Sequence, residues 1–159
     1  MSKTFLLPRI IFLAVFSLAG NVFAEQTIKY MGTVYASPMK HLMPLGNGDG
    51  VLITQAAGIA AMSDASGMPP AIFAINCAGM GIEKPDETAV SDFYCNLKED
   101  DEDSFDIKGI VASSAEENKF DVIGGSGKWK GASGKGAFAR VFESEEGNKN
   151  VFVVEITTP

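Results

Sequence analysis

Histidine and cysteine are scarce in this sequence of 159 residues, which contains one histidine, His41, and two cysteines, Cys77 and Cys95. A structural zinc site takes four nitrogen or sulfur ligands, so these three side chains predict no metal centre. His41 lies in segment 39–44, which reads as a loop and favours a solvated imidazole. No serine lies in the G-x-S-x-G motif of an α/β-hydrolase nucleophile. These absences predict neither a metal site nor a Ser-His-Asp triad.

Long hydrophobic runs are also missing, because no stretch reaches the roughly 18 unbroken apolar residues of a transmembrane helix. The N-terminus carries Lys3 and Arg9, an apolar segment over 10–19, and then Val22-Phe23-Ala24, with small side chains where a signal peptidase cleaves. This pattern predicts a signal peptide over 1–24, cleaved after Ala24, and one domain over 25–159 that does not associate with a membrane. The chain has no Asn-x-Ser/Thr sequon, and we predict a periplasmic or secreted bacterial protein.

Basic residues are few. The formal net charge is −7, and removal of Lys3 and Arg9 with the signal peptide would make it −9. An acidic surface repels phosphate backbones and anionic lipid headgroups. Nucleic acid is therefore not an expected partner. The acidic run 99–103 lacks the glycine and the distal glutamate of an EF-hand calcium loop, so it is interpreted as a solvated hairpin tip.

No convincing amphipathic helix occurs, and apolar residues instead alternate with a period of two. Eight such segments are predicted as strands: 27–36, 50–62, 71–83, 88–98, 104–112, 119–123, 136–142 and 150–157. Short antiparallel strands with bulky side chains on both faces favour a closed barrel, since closure removes exposed sheet edges. The predicted fold class is an all-β, eight-stranded antiparallel β-barrel, with a β-sandwich as the alternative.

The two cysteines test this strand assignment. Cys77 and Cys95 lie in neighbouring predicted strands, equally far from residue 86 in the turn 84–87. A hairpin centred there places them directly opposite each other, close enough for a disulfide. An exported protein meets an oxidising environment. The sequence therefore predicts a Cys77–Cys95 disulfide.

Glycine is concentrated in segment 124–136, GGSGKWKGASGKG. Neither Gly-Lys pair is followed by the Ser or Thr of a P-loop, and the G-x-G-x-x-A match at 134–139 leads into a strand pattern instead of a helix. The glycines are therefore predicted to form the bend between two strands.

Segment 123–138, IGGSGKWKGASGKGAF, resembles the glycine-rich stretch of the allene oxide cyclase and dirigent β-barrel superfamily. The resemblance implies an eight-stranded antiparallel barrel that uses no metal or organic cofactor and often forms oligomers. In that superfamily, plant members guide cyclisation or radical coupling of a small hydrophobic molecule in the barrel. For this chain it implies a small apolar ligand and a possible homo-oligomer.

A barrel of eight strands has room for packed side chains or one small ligand. Arg140 shares strand parity with Phe138 and Phe142, and it is either an outward or internally paired charge or a cavity residue that meets an acid or a ligand carboxylate. We expect binding of a small apolar molecule, or a non-catalytic structural role. The alternatives are a cofactor-free dirigent or cyclase-like isomerase, in which Arg140 acts with an acid such as Asp92, and an acidic protein-interaction module. The side chains predicted to line a pocket are Tyr30, Phe73, Phe93, Trp129, Phe138 and Arg140.

Overall fold

The computed structural model describes residues 25–66, 69–144 and 146–159. The predicted signal peptide over 1–24 lies outside these residues. The described residues form eight strands and one short 3-10 helix: β1 (Gln26–Pro44), β2 (Gly50–Asp64), β3 (Ala71–Glu83), β4 (Ala89–Lys98), β5 (Ser104–Ala112), β6 (Asn118–Ser126), η1 (Gly127–Trp129), β7 (Ser133–Ser144) and β8 (Gly147–Thr158). Each strand pairs antiparallel with the next, and β8 pairs with β1, so the sheet closes into a barrel. Closure confirms the predicted barrel and excludes the sandwich.

Away from the register shifts in the β5–β6 and β7–β8 pairs, side chains alternate between the interior and the outer surface, as a pleated sheet requires. On β4, Ser91, Phe93, Cys95 and Leu97 are buried while the residues between them face outward. The interior is filled mainly by apolar side chains from all eight strands. The period-two alternation predicted from the sequence is therefore present in β4.

The first strand is longer than predicted. The expected strand ends at Ala36, and segment 39–44 was interpreted as a loop, but β1 continues to Pro44 and His41 lies on it, exposed. Beyond Ala36, β1 pairs only with β2 among the described strands. Proline is tolerated on such an edge, because no ladder hydrogen bond needs its missing N–H. The loop interpretation was wrong because Pro38 lies within an edge strand and does not end it.

The centre of the glycine-rich segment, residues 127–132, forms the predicted bend between β6 and β7, while its two ends belong to those strands. Gly127 begins η1 with φ of 57°, and Gly131 follows it with φ of 76°, both in the left-handed region that favours glycine. The 3-10 helix between them points Trp129 into the barrel, where the side chain is buried. The bend thus supplies the residue that closes this end of the barrel.

The predicted disulfide joins the interior faces of β3 and β4. Cys77 lies opposite Cys95 in the strand register, with a Cα–Cα distance of 4.0 Å, and the two form a disulfide. The symmetry argument about residue 86 therefore identified the hairpin register correctly.

Candidate functional site

The barrel contains a cavity of about 260 Å³. It opens at the end of the barrel where the turns β1–β2, β3–β4, β5–β6 and β7–β8 lie, because strand residues next to these turns line it. Most of its wall is apolar: Val34, Leu52, Ile75, Phe93, Leu97, Ile107, Val111, Phe120, Phe138 and Phe152. The Cys77–Cys95 disulfide is part of the same wall.

The opposite end of the barrel is closed by aromatic side chains around Trp129. Its ring centroid lies 5.3 Å from that of Phe105, 6.1 Å from that of Tyr30 and 6.5 Å from that of Phe73. Such tilted and edge contacts between rings add to the free energy of burial. Burial, followed by the charge of Asp64, raises the pKa of the Tyr30 phenol. This packed aromatic cluster separates the cavity from the solvent at the closed end of the barrel.

The acidic run helps to hold the closed end in place. Lys128 on η1 lies 2.6 Å from Glu99 Oε2, and its backbone N–H donates to Asp103 Oδ1 at 2.8 Å. Burial lowers the pKa of the Lys128 amine, but the hydrogen bond and charge of Glu99 outweigh this and raise it overall. The run is a hairpin tip, as expected, but two of its carboxylates anchor η1 instead of only facing solvent.

Polar side chains on β7 and β8 form a ladder at the open end. Cross-strand pairs place Phe138 beside Phe152, Arg140 beside Asn150, and Glu143 beside Asn148, in order from the interior to the mouth. All of them line the cavity. The cavity is therefore apolar in its depth and polar at its entrance.

Arg140 is an internally paired cation. Its guanidinium donates to Glu143 Oε2 at 2.7 Å, and both side chains remain partly exposed. The register of β7 shifts between Arg140 and Phe142, so Phe142 faces outward, 60% exposed, and Glu143 takes the inward position. The expected shared face of Arg140 and Phe142 is thus wrong because a bulge breaks the alternation.

Asp92 is not the acid that accompanies Arg140. It is exposed on β4 between the buried Ser91 and Phe93, and it therefore faces outside the barrel. Glu143 holds the place that the sequence interpretation gave to Asp92.

The six residues predicted to line a pocket divide into two groups. Phe93, Phe138 and Arg140 line the cavity. Tyr30, Phe73 and Trp129 instead pack together at the closed end. Both groups lie inside the barrel, but at different distances from its mouth.

Asn150 carries the polar atom of the site that sequence reasoning missed. Its Nδ2 donates to Asn148 Oδ1 at 3.1 Å, while its Oδ1 is buried and has no hydrogen-bond partner among the residues that the structure describes. A sequence signal existed, because Asn148 and Asn150 share parity with the buried Phe152 and Val154. Polar residues on an otherwise apolar face are the pattern that could have identified them.

Neither a helix able to cross a membrane nor a cluster of three or more potential metal-ligating side chains is found in residues 25–66, 69–144 and 146–159.

No family model and no curated protein matches this chain. Among solved structures, it is similar to the pterocarpan synthase dirigent protein GePTS1, with a TM-score of 0.54 over 85% of this chain and 86% of that one. The chain has the dirigent β-barrel fold. Sequence identity is 10%, so the likeness is one of fold. It confirms the architecture that the glycine-rich segment implied.

The dirigent-type barrel is here combined with an internal disulfide. Disulfides persist where thiols are oxidised and are rare in the reducing cytosol. The Cys77–Cys95 bond therefore indicates an oxidising, extracellular type of compartment.

Proposed function

We propose that this dirigent-fold barrel binds a small, mostly apolar molecule in its cavity. The observation that carries the proposal is the open cavity of about 260 Å³, whose depth is lined by aromatic and aliphatic side chains and whose polar groups cluster at the mouth. Ligand sites typically combine an apolar lining with a few polar groups that fix orientation. If the barrel had only a structural role, we would expect its side chains to fill the interior, which they can do in an eight-stranded barrel.

The cavity size and composition limit the ligand. Pockets for drug-sized molecules occupy roughly 300–1,000 Å³, so this one suits a smaller compound. Burial of apolar surface contributes about 25 cal/mol per Å², and this term supplies most of the expected affinity. The compound need not be charged to bind in the depth of the cavity.

Filling the cavity should abolish binding. Ala56 faces inward on β2 and lines the cavity, whereas the neighbouring Ala57 is exposed on the outer surface. We expect Ala56→Phe to weaken binding of the neutral fluorescent probe N-phenyl-naphthylamine by roughly ten-fold or more. The new phenyl ring occupies space that the probe needs, and each methylene-sized part of the probe that is no longer buried costs about 0.8 kcal/mol. Ala57→Phe is the matched control and should bind the probe as the wild type does. Fluorescence titration measures both, with circular dichroism to verify folding. Equal loss in both variants, or none in either, contradicts cavity binding.

A second candidate function is the orientation of a reactive intermediate without a cofactor, and the structure with the similar fold is that of a synthase. The observation that favours it is the Arg140–Glu143 pair, which places a cation and a carboxylate 2.7 Å apart at the mouth. A ligand recovered chemically unchanged from the purified barrel supports binding alone. A ligand recovered as a different isomer supports this second function.

The compartment that best fits these features is the bacterial periplasm or the extracellular medium. The disulfide supports an oxidising location, and the signal-peptide pattern over 1–24 supports export.

We also propose that the barrel forms homo-oligomers through its outer surface on β7, β8, β1, β2 and β3. Cross-strand pairing joins uncharged outward side chains of these strands into one patch: Met31, Thr33, Tyr35, Ile59, Ala61, Ile72, Ala74, Ala137, Ala139, Val151 and Val153. The Lys29–Glu155 ion pair and Lys149 lie at its borders. Monomeric proteins rarely expose so many contiguous apolar side chains, so a second copy with the same patch is the occupant that we propose.

A charge in the centre of this patch should dissociate the oligomer. Ile59 is 55% exposed within it, and Ile110 is 57% exposed on β5, next to Asp92. We expect Ile59→Glu to raise the dissociation constant by roughly ten-fold or more, because it places an unpaired charge in an apolar interface. Ile110→Glu should leave assembly unchanged. Size-exclusion chromatography with light scattering measures both, and a monomeric wild type at high micromolar concentration would overturn the proposal.

A further inference from the structure

We propose that the ligand of this cavity is a neutral molecule with a hydrogen-bond donor, of the hydroxyl type, that binds Asn150 Oδ1 while its apolar part lies deeper in the barrel. This inference rests on the proposed ligand-binding function and specifies the ligand class.

The position of Asn150 carries the argument. On the interior face it lies between Val34 of β1 and Arg140 of β7, in register with both. It is the first polar position on β8 above Phe152, and all of these residues line the cavity. A ligand that fills the apolar depth therefore reaches Asn150 at the point where the wall changes from apolar to polar.

The orientation of the Asn150 amide determines what it can accept. Its Nδ2 donates to Asn148 Oδ1 at 3.1 Å, so Oδ1 is the atom of this amide that has no partner among the described residues. This Oδ1 is buried without a hydrogen-bond partner in the described part of the chain. A buried acceptor left unpaired is costly, so turning the Asn150 side chain toward a ligand hydroxyl gains a hydrogen bond that a ligand without a donor cannot supply.

The charges at the mouth argue against an anionic ligand. Arg140 is already paired with Glu143 at 2.7 Å, which leaves Lys40 as the cation of the lining without an ion pair among the described residues. Glu83 and Glu87 add two further carboxylates to the lining. A carboxylate ligand would meet more negative than positive charge at the entrance, whereas a hydroxyl meets no such repulsion.

Three ten-carbon probes separate these chemistries: decanol, its isomer methyl nonyl ether, and decanoate. The alcohol donates a hydrogen bond, the ether only accepts, and decanoate is an anion. We expect decanol to bind the wild-type protein roughly ten-fold or more tightly than the ether, because only decanol satisfies Asn150 Oδ1. Decanoate should bind more weakly than decanol. Displacement of N-phenyl-naphthylamine measures all three.

A variant connects the preference to Asn150. Asn150→Leu should bring decanol and the ether within about two-fold of each other, since the acceptor is gone. Asn76→Leu is the matched control on the exposed outer face of β3 and should keep the wild-type preference. The wild-type comparison needs no variant, so a failure of Asn150→Leu to fold leaves the test intact.

The outcomes distinguish this inference from the proposed function. If no probe binds, the ligand-binding function fails and this inference fails with it. If the ether binds as tightly as decanol, or decanoate binds more tightly, the cavity binds ligands but the donor assignment is overturned. A preference for decanol that persists in Asn150→Leu shows that another group accepts the hydrogen bond, which also overturns it.

Discussion

Replacing Trp129 with alanine is expected to lower the free energy of unfolding by about 3–5 kcal/mol. The indole is 5% exposed and contacts the rings of Tyr30, Phe73 and Phe105 at the closed end of the barrel. Its removal costs the transfer free energy of a large aromatic side chain and leaves a cavity that a closed barrel cannot collapse to fill. Urea denaturation followed by far-UV circular dichroism measures the loss.

The matched variant for this experiment is Trp129→Phe. Phenylalanine keeps an aromatic ring against Phe105, and it removes an indole N–H that has no hydrogen-bond partner within the described residues. An unpaired buried donor is itself destabilising, so its loss offsets part of the lost volume. We expect the phenylalanine variant to lose at most about half of what the alanine variant loses. Equal losses would show that a phenyl ring recovers none of the lost packing, and the aromatic-packing account of the closed end would be wrong.

The second large effect is expected on removal of the disulfide. Cys77 and Cys95 are 18 residues apart in sequence, and a cross-link closing a loop of this size stabilises the folded state by about 3 kcal/mol through the entropy of the unfolded chain. The double substitution Cys77→Ala with Cys95→Ala should lower the free energy of unfolding by this amount. Chemical denaturation measured without reductant gives the value.

Reduced wild-type protein is the control for the disulfide experiment. It keeps both sulfur atoms in the interior, where Cys95 is buried and Cys77 half-buried, but lacks the covalent link. Its stability should fall close to that of the double variant. If reduction costs less than about 1 kcal/mol, the cross-link does not restrict the unfolded chain as the entropic account requires, and that account is wrong.

The strand pattern shows how far local sequence determines this fold. The bounds of β3 and β5 agree with the predicted segments 71–83 and 104–112, because glycine, proline and acidic turns flank a clean period-two alternation. The hairpin register followed from the positions of Cys77 and Cys95. β1 was predicted too short because a proline such as Pro38 suggests the end of a strand. The sequence does not show that β8 stops pairing with β1 at Ala36, which is what allows the proline there.

The candidate site was predicted less completely than the fold. Parity along a strand groups side chains by face, but it left open whether Arg140 points inward, and only the structure places Arg140 in the cavity lining with Phe93 and Phe138. Parity does not give the height of a residue in the barrel, which depends on the stagger between strands. For that reason Tyr30 and Trp129 were grouped with the cavity although they pack at the closed end.

The sequence by itself predicted eight antiparallel strands, a Cys77–Cys95 disulfide and a bend at the glycine-rich segment, whereas the tertiary structure decided that the sheet closes into a barrel and not a sandwich. The predicted features depend on local alternation, turn composition and positive φ at glycine, all of which are read within a few residues. Only the tertiary structure decided that the barrel holds a cavity, that Glu143 accompanies Arg140, and that Asn150 presents an unpaired acceptor. Each of these depends on strand stagger and on a bulge, which bring together side chains from different strands.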